Sequence, residues 1–321
     1  MTIEEFSSAL APFGSALIFC HSRPDGDTLG CASALKAALV SLGKTADIVC
    51  DSFIPAKFGF LGFSGEVLKP GDVKRSYEAH VAVDCSVESM LGESYPIFRS
   101  CRNTFNIDHH VSNSRYAKYN YVAETAACCE SVYRLILGLG VRIDEVIANR
   151  LLLGISTDTG NFSHNNVTAD TMRIASELVA SGADIHEISF RMYKNQPVER
   201  ARLYAKVISG MRLYLEGKVA VISIFMRDLR EFGATKDMTE GFIDFPLSVE
   251  GVEVAVSILE SKENTYKISY RSKGRVDVNA VAAAFGGGGH KMASGSMLSG
   301  FYEDVKDRIL REISFALPDQ V

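Results

Sequence analysis

No stretch of this 321-residue chain stays apolar for the ~20 residues that a helical bilayer crossing requires. Basic charge is not in excess either. Its 34 Lys and Arg against 39 Asp and Glu leave a net charge of −5, so no positive field advertises a long nucleic-acid partner. A polyanionic substrate would have to be attracted by a local site. The opening Met1-Thr-Ile-Glu-Glu-Phe6 is acidic where a secretory leader is basic, so the expectation is a cytoplasmic protein with no membrane partner. Cysteine signals are missing too: the seven cysteines (20, 31, 50, 85, 101, 128 and 129) are odd in number and hold no Cys-x-x-Cys pair. They read as small buried hydrophobes in a reducing compartment, not as a disulfide framework or a structural zinc site. Internal repeats and low-complexity tails are absent as well.

What is present is an apolar fraction of 47%, enough to supply two ordinary domains with cores. Residues 1–14 read as a short amphipathic helix and Ser15-Ala-Leu-Ile-Phe-Cys20 as a buried strand. From Thr28 the pattern turns helical, with Leu35, Leu39 and Leu42 on one face and Gly43 as the cap, before a strand over Ala46–Cys50. This β-loop-α-β unit is the building block of a parallel sheet. Further strands are expected over His80–Val83, Asn103–Ile107 and Leu151–Ile155, and helices over Glu130–Leu137, Asp144–Arg150 and Thr168–Ser181. In the last of these Met172, Leu178 and Val179 face inward, and Gly182 closes it. Beyond it, Ile188–Met211 reads as a polar connecting helix with Pro197 in its first turn. Strands follow over Lys218–Ile224, Val252–Leu259 and Thr265–Tyr270, the last two parted by the polar turn Glu260–Asn264, and then a helix over Val278–Phe285. The expected domains are 1–190, a linker over 191–211, and 212–321: a doubly wound α/β sheet followed by a smaller α/β domain.

Four acid-bearing stretches each follow an apolar run of strand length: His21-Ser-Arg-Pro-Asp25-Gly-Asp27, Val83-Asp84, Ile107-Asp108-His109-His110 and Thr157-Asp158-Thr-Gly160. A doubly wound sheet binds ligands outside the carboxyl ends of its strands, where all four would lie. If His21, Asp25, Asp27, Asp84, His109 and Asp158 converge, four carboxylates and two neutral imidazoles carry four negative charges, which two divalent ions would cancel. Oxygen-rich ligands with imidazole suit Mn²⁺ best, with Mg²⁺, Co²⁺ or Fe²⁺ as alternatives. Paired ions lower the pKa of a water and clamp the attacking and leaving oxygens of an in-line displacement, which is phosphoester hydrolysis. Each piece has a plainer reading, a polar turn or a helix cap such as Asp84. Four coincidences at four strand ends favour the metal site.

These motifs, with Thr28-Leu-Gly30 after the first, resemble those of the DHH phosphoesterases. Phe285-Gly-Gly-Gly-Gly-His290-Lys-Met-Ala-Ser-Gly295 resembles the signature of the DHH-associated domain. Within that superfamily the chain is most similar to the oligoribonuclease and pAp phosphatase group. The resemblance implies one ion held by His21, Asp25 and Asp84 and a second held by Asp27, Asp84, His109 and Asp158, with Asp84 bridging. Asp108 would orient an imidazole, His110 would face the scissile phosphate as a donor, and Asn113 would lie near the substrate. One departure is Thr125-Ala-Ala-Cys128-Cys129-Glu130, where relatives have a Ser/Thr-rich run, so the contacts at that helix start are left open.

Four consecutive glycines are costly to order, and the amides of Gly287, Gly288 and Gly289, free of side chains, suit phosphate or ribose oxygens, with His290 beside them. Arg271, in Arg271-Ser-Lys-Gly-Arg275 after a strand, suits bidentate phosphate binding. The resemblance assigns Arg271 and His290 to a substrate-binding lobe across a cleft from the metals, and makes a homodimer plausible. The expected activity is Mn²⁺-dependent hydrolysis of short RNA oligonucleotides to mononucleotides, or removal of the 3′-phosphate of 3′-phosphoadenosine 5′-phosphate (pAp), or both. Linear or cyclic dinucleotides are a nearby alternative. The rival of another class is a non-catalytic nucleotide sensor, which would lack a metal ligand, and none is missing.

Overall fold

The computed structural model describes residues 1–317. The chain divides into two compact units, Met1–Asn195 and Gln196–Val321. The first runs through α1 (Ile3–Leu10), β1 (Ser15–Phe19), α2 (Gly26–Ser41), β2 (Thr45–Val49), β3 (Val67–Leu68), β4 (Ala79–Val83), α3 (Tyr95–Ser100), β5 (Thr104–Asp108), β6 (Tyr119–Val122), α4 (Cys128–Gly138), α5 (Glu145–Asp158), α6 (Ala169–Ala180) and α7 (Ile185–Ser189). Its six strands form one parallel sheet in the order β3-β2-β1-β4-β5-β6. The order reverses between β1 and β4, so the crevice at that switch point is where such a sheet receives a ligand. One face of the sheet is buried under α1, α2, α4 and α5, through Phe6, Leu35, Leu135 and Leu151 among others. The other packs Leu17, Phe19 and Ala82 against Leu91 and Phe98. Among the described residues no helix is long and apolar enough to cross a membrane.

Three sequence expectations are corrected. Leu151–Ile155 is not a strand but the second half of α5. A continuous apolar run does not distinguish a buried strand from a buried helix. The start signal decides it: Asp144 caps the helix by accepting from the Ile147 amide at 2.9 Å, and burial continues on all sides through Ser156. The sixth strand is instead β6, whose Tyr119-Asn-Tyr-Val122 is only half-buried. On α6 the inward residues are Thr171, Ile174, Ala175 and Leu178, one clean i, i+3, i+4, i+7 stripe, whereas Met172 and Val179 are exposed. The segment Ile188–Met211 is not one helix: α7 ends at Ser189, and a new helix starts after Pro197.

The second unit holds α8 (Val198–Ser209), β7 (Arg212–Tyr214), β8 (Val219–Ile224), α9 (Met226–Phe232), α10 (Asp244–Ser248), β9 (Val254–Lys262), β10 (Thr265–Ser272), α11 (Val278–Ala283), β11 (Gly288–His290), β12 (Ala293–Ser299) and α12 (Tyr302–Ala316). Its sheet order is β11-β12-β10-β9-β8-β7, antiparallel except for the parallel pair β8 and β9. Tyr270, Ile268 and Val256 pack one face against Val281 of α11 and Val305 and Ile309 of α12. The helix α8, in the segment read as a linker, buries Leu203 and Val207 with Ile222 and Phe242 of this same unit.

Candidate active site

Because β1, β4 and β5 are neighbours in the sheet, the residues leaving their carboxyl ends are neighbours too. These are His21 to Asp27 after β1, Asp84 after β4, and Asp108 to His110 at the end of β5. Asp158 arrives differently, as the last residue of α5. The helices α2 and α5 approach closely enough that a Cβ on Gly26 would strike Thr157, one on Gly30 the Arg150 carbonyl at 2.4 Å, and one on Gly154 the Asp27 carboxylate at 2.7 Å. Missing side-chain atoms therefore set the distance between Asp27 and Asp158.

Two ligand types meet, imidazole nitrogen and carboxylate oxygen. His21 Nε2 lies 3.6 Å from both Asp25 Oδ1 and Asp84 Oδ2, and His109 Nε2 lies 3.5 Å from both Asp84 Oδ1 and Asp158 Oδ2. These separations are long for hydrogen bonds and short enough for both atoms of a pair to reach one ion at ~2.1 Å. His21, Asp25 and Asp84 form one group able to hold a cation, and Asp27, His109 and Asp158 form another. Asp84 gives one oxygen to each histidine. Its Oδ1 is buried without a hydrogen-bond partner, and its backbone sits at φ 55°, a left-handed conformation that non-glycine residues adopt at a cost. Both imidazoles have their other nitrogen against a backbone carbonyl, His21 Nδ1 with Ser22 at 2.9 Å and His109 Nδ1 with Thr125 at 3.0 Å. That leaves Nε2 as the free lone pair a metal needs.

The charges agree with the geometry. Burial, followed by the Asp84 charge, pushes Asp27 up to about 6. Burial, with Asp27 and Asp84, also pushes Asp158 up. Against burial, which opposes it, Asp25 and Asp84 lift His21 to about 11, and Asp84 and Asp27 lift His109 to about 12. Without cations, the cluster keeps protons to offset its own negative charge. An orphaned carboxylate oxygen, oriented imidazoles and excess negative charge fit two divalent ions. The α5 carboxyl terminus, carrying Asp158, adds partial negative charge in the same direction.

Asp27 has a second task that no sequence pattern announced. The helix α4 has no side-chain cap of its own, yet its Cys128 and Cys129 amides donate to Asp27 Oδ2 at 2.6 Å and Oδ1 at 2.9 Å. The contacts left open by the unusual Ala-Ala-Cys-Cys run are thus made through backbone amides, which any residue supplies.

Asp108 is fully buried and does not join the ligand groups. Its Oδ1 meets His110 Nδ1 at 2.8 Å, and its Oδ2 accepts from Asn113 Nδ2 at 2.5 Å. That contact first, with burial opposing, raises the His110 pKa, while His110 and Asn113 hold Asp108 low against burial. The Asn113 amide is directed at Asp108, Asn106 Oδ1 and the Cys85 carbonyl, so Asn113 supports Asp108.

The second unit carries its own constellation. Arg271 is opposite Ala293 in the β10–β12 ladder, and Ala293 is opposite His290 in the β12–β11 ladder. Opposed residues project from one face, so Arg271 and His290 flank the small Ala293. Two residues along, the row is Ser269, Gly295 and Gly288, equally small. The glycine run is not a free loop. Gly288 starts the edge strand β11, and a Cβ on Gly287 would strike the Gly295 carbonyl at 2.2 Å while one on Gly289 (φ 151°) would strike the Ala293 carbonyl at 2.5 Å.

Residues 15–155 match the DHH family, N-terminal domain, and residues 216–317 match the DHHA1 domain. The chain is 33% identical over 310 residues to the bifunctional oligoribonuclease and PAP phosphatase NrnA of Thermus thermophilus, covering 94% of this chain and 91% of that one. It is 25% identical over 316 residues to the protein of the same name from Bacillus subtilis, covering 96% of each. Among solved structures, an exopolyphosphatase-related protein from Bacteroides fragilis superposes with a TM-score of 0.91 at 27% identity, covering 98% of this chain and 95% of that one.

Proposed function

The chain belongs to the DHH family, with both the N-terminal domain and the DHHA1 domain, and is a hydrolase. From that premise we propose a Mn²⁺-dependent phosphoesterase that cleaves short oligoribonucleotides to mononucleotides, removes the 3′-phosphate of pAp, or does both. The observation that carries this reading is Asp84, whose two oxygens are divided between two separate groups of ligands. The names of the relatives, matched over nearly the whole chain, supply the substrate class.

His21, Asp25 and Asp84 would hold one ion, and Asp27, Asp84, His109 and Asp158 the other. When bound, such a pair lowers the pKa of a water and draws charge from the phosphoryl oxygens. Asp108 fixes the His110 ring through Nδ1, so the proton on Nε2 is available to the leaving oxygen as its bond to phosphorus breaks. The proton lost by the attacking water restores the imidazolium. Arg271 and His290, on one face of the second sheet, bind the terminal phosphate of the substrate.

The test is product release with Mn²⁺ from a 5′-phosphorylated RNA dinucleotide, a 24-nucleotide RNA, pAp and pyrophosphate in parallel, with linear and cyclic dinucleotides as further arms. Turnover of the 5′-phosphorylated dinucleotide or pAp is expected. Tight nucleotide binding with no turnover of any substrate would replace the enzyme by a sensor.

Metal occupancy should also appear in the pH dependence of stability. Asp27, Asp158, His21 and His109 all bind protons more tightly when folded. The contribution of Asp27 is complete below its ordinary value of 3.8 and lost as pH rises through about 6. That of the histidines is complete below 6.5 and declines as pH climbs toward about 11 and 12. The chelated protein should therefore melt at lower temperature at pH 8.5 than at pH 5.5. Mn²⁺, which competes with those protons, should raise Tm more at the higher pH. Calorimetry with and without EDTA reads both, and a Mn²⁺ effect that shrinks with pH would count against these ligands.

A further inference from the structure

Phe53 is the most exposed large apolar side chain among the described residues, with 87% of its surface open. It stands just past β2, on a segment fastened to the loop after β1 residue by residue. The Cys50 thiol donates to the His21 carbonyl at 3.5 Å, Ser22 Oγ donates to Asp51 Oδ2 at 2.8 Å, and the Arg23 amide donates to Ser52 Oγ at 3.2 Å. Phe53 directly follows the last residue of that series, as Arg23 stands two residues before Asp25, whose side chain is itself 53% exposed. The ring is not free to wander. The Lys69 ammonium lies 4.2 Å from its centroid and is anchored by donating to the Ser52 carbonyl at 2.6 Å. One face therefore rests on a fixed cation and the remainder is open. The next most exposed apolar side chain, Val111 at 81%, directly follows His110.

An apolar ring left in water gains nothing for the fold. Held rigid beside a site for nucleotides, it is a surface on which a flat heterocycle stacks at little entropic cost. We propose that Phe53 is a stacking platform for a nucleobase of the substrate, so that it selects nucleotides over base-free phosphate esters. This rests on the reading of the site as one for short oligonucleotides or pAp.

The experiment compares wild type, Phe53→Ala and Phe53→Trp, all loaded with Mn²⁺. The substrates are a 5′-phosphorylated diadenosine and its two analogues lacking one base or the other. Phe53→Ala is expected to raise KM for the intact dinucleotide about tenfold with kcat within twofold, and Phe53→Trp to restore it. One of the two abasic analogues should be handled equally by wild type and Phe53→Ala. An unchanged KM on the intact dinucleotide, or an equal rise on both analogues, overturns the platform while leaving the phosphoesterase standing. A wild type that cleaves no nucleotide overturns the phosphoesterase itself, and Phe53 with it.

Discussion

Asp84→Ala is expected to lower turnover of the best substrate by about 10⁴-fold, because one carboxylate serves both ligand groups and its removal dismantles both. Stability of the chelated protein should respond far less. The Asp84 carboxylate raises the cost of ionising Asp27 and Asp158, but it also favours the protonated His21 and His109, so its loss relieves one interaction and removes the other. Alanine at φ 55° adds backbone strain, and Asp84→Asn, which keeps the shape, separates that strain from the loss of charge. Chelated Tm should thus stay within a few degrees of wild type for both variants, while the rise on adding Mn²⁺ disappears. An Asp84→Ala protein that still turns over substrate, or still gains stability from Mn²⁺, would remove Asp84 from the centre of the site.

His110→Ala should produce the second largest loss, about 10² to 10³-fold in kcat with KM little changed, the scale of a missing general acid. The discriminating substrate is one whose leaving oxygen needs no proton. With a 4-nitrophenyl phosphate ester the deficit should shrink to less than tenfold. If the deficit is equal on both substrates, His110 does not protonate the leaving group. Asp108→Asn, which keeps a partner for the ring but withdraws its charge, should fall between wild type and His110→Ala and lower the pH at which the alkaline limb of the rate profile, where the acid loses its proton, begins. The sign follows from the contact: Asp108 raises the pKa of His110, so its neutralisation lowers that pKa.

The parts of the site legible in the sequence are those carried by short segments. An apolar run stopping on Asp84, or on Asp108-His109-His110, marks a strand and its carboxyl end together, because strand and ligand lie within a few residues. The motif marks Asp158 but not its support, since the run Leu151-Leu-Leu-Gly-Ile155 upstream of it satisfies a buried helix as well as a buried strand. Contacts between distant segments left no local trace. Nothing near Cys128 predicts that Asp27 will cap it, nothing in Gly154 says that Asp27 lies against it, and the row joining Arg271 to His290 exists only once three strands are in register. Asn113 lay beside the motif in sequence, and only its bonds reveal that it faces the interior.

The cap on α4 also bears on the order in which the molecule is built. A helix normally completes its first turn with a residue from its own vicinity, at almost no loop-closure cost. Here the acceptor lies 101 residues earlier in the chain, so the start of α4 is finished only after α2 has docked. The same event delivers Asp27 to its fellow ligands. Assembly of the candidate site and completion of this helix therefore depend on one long-range contact, whose closure carries an entropic cost that a local cap avoids.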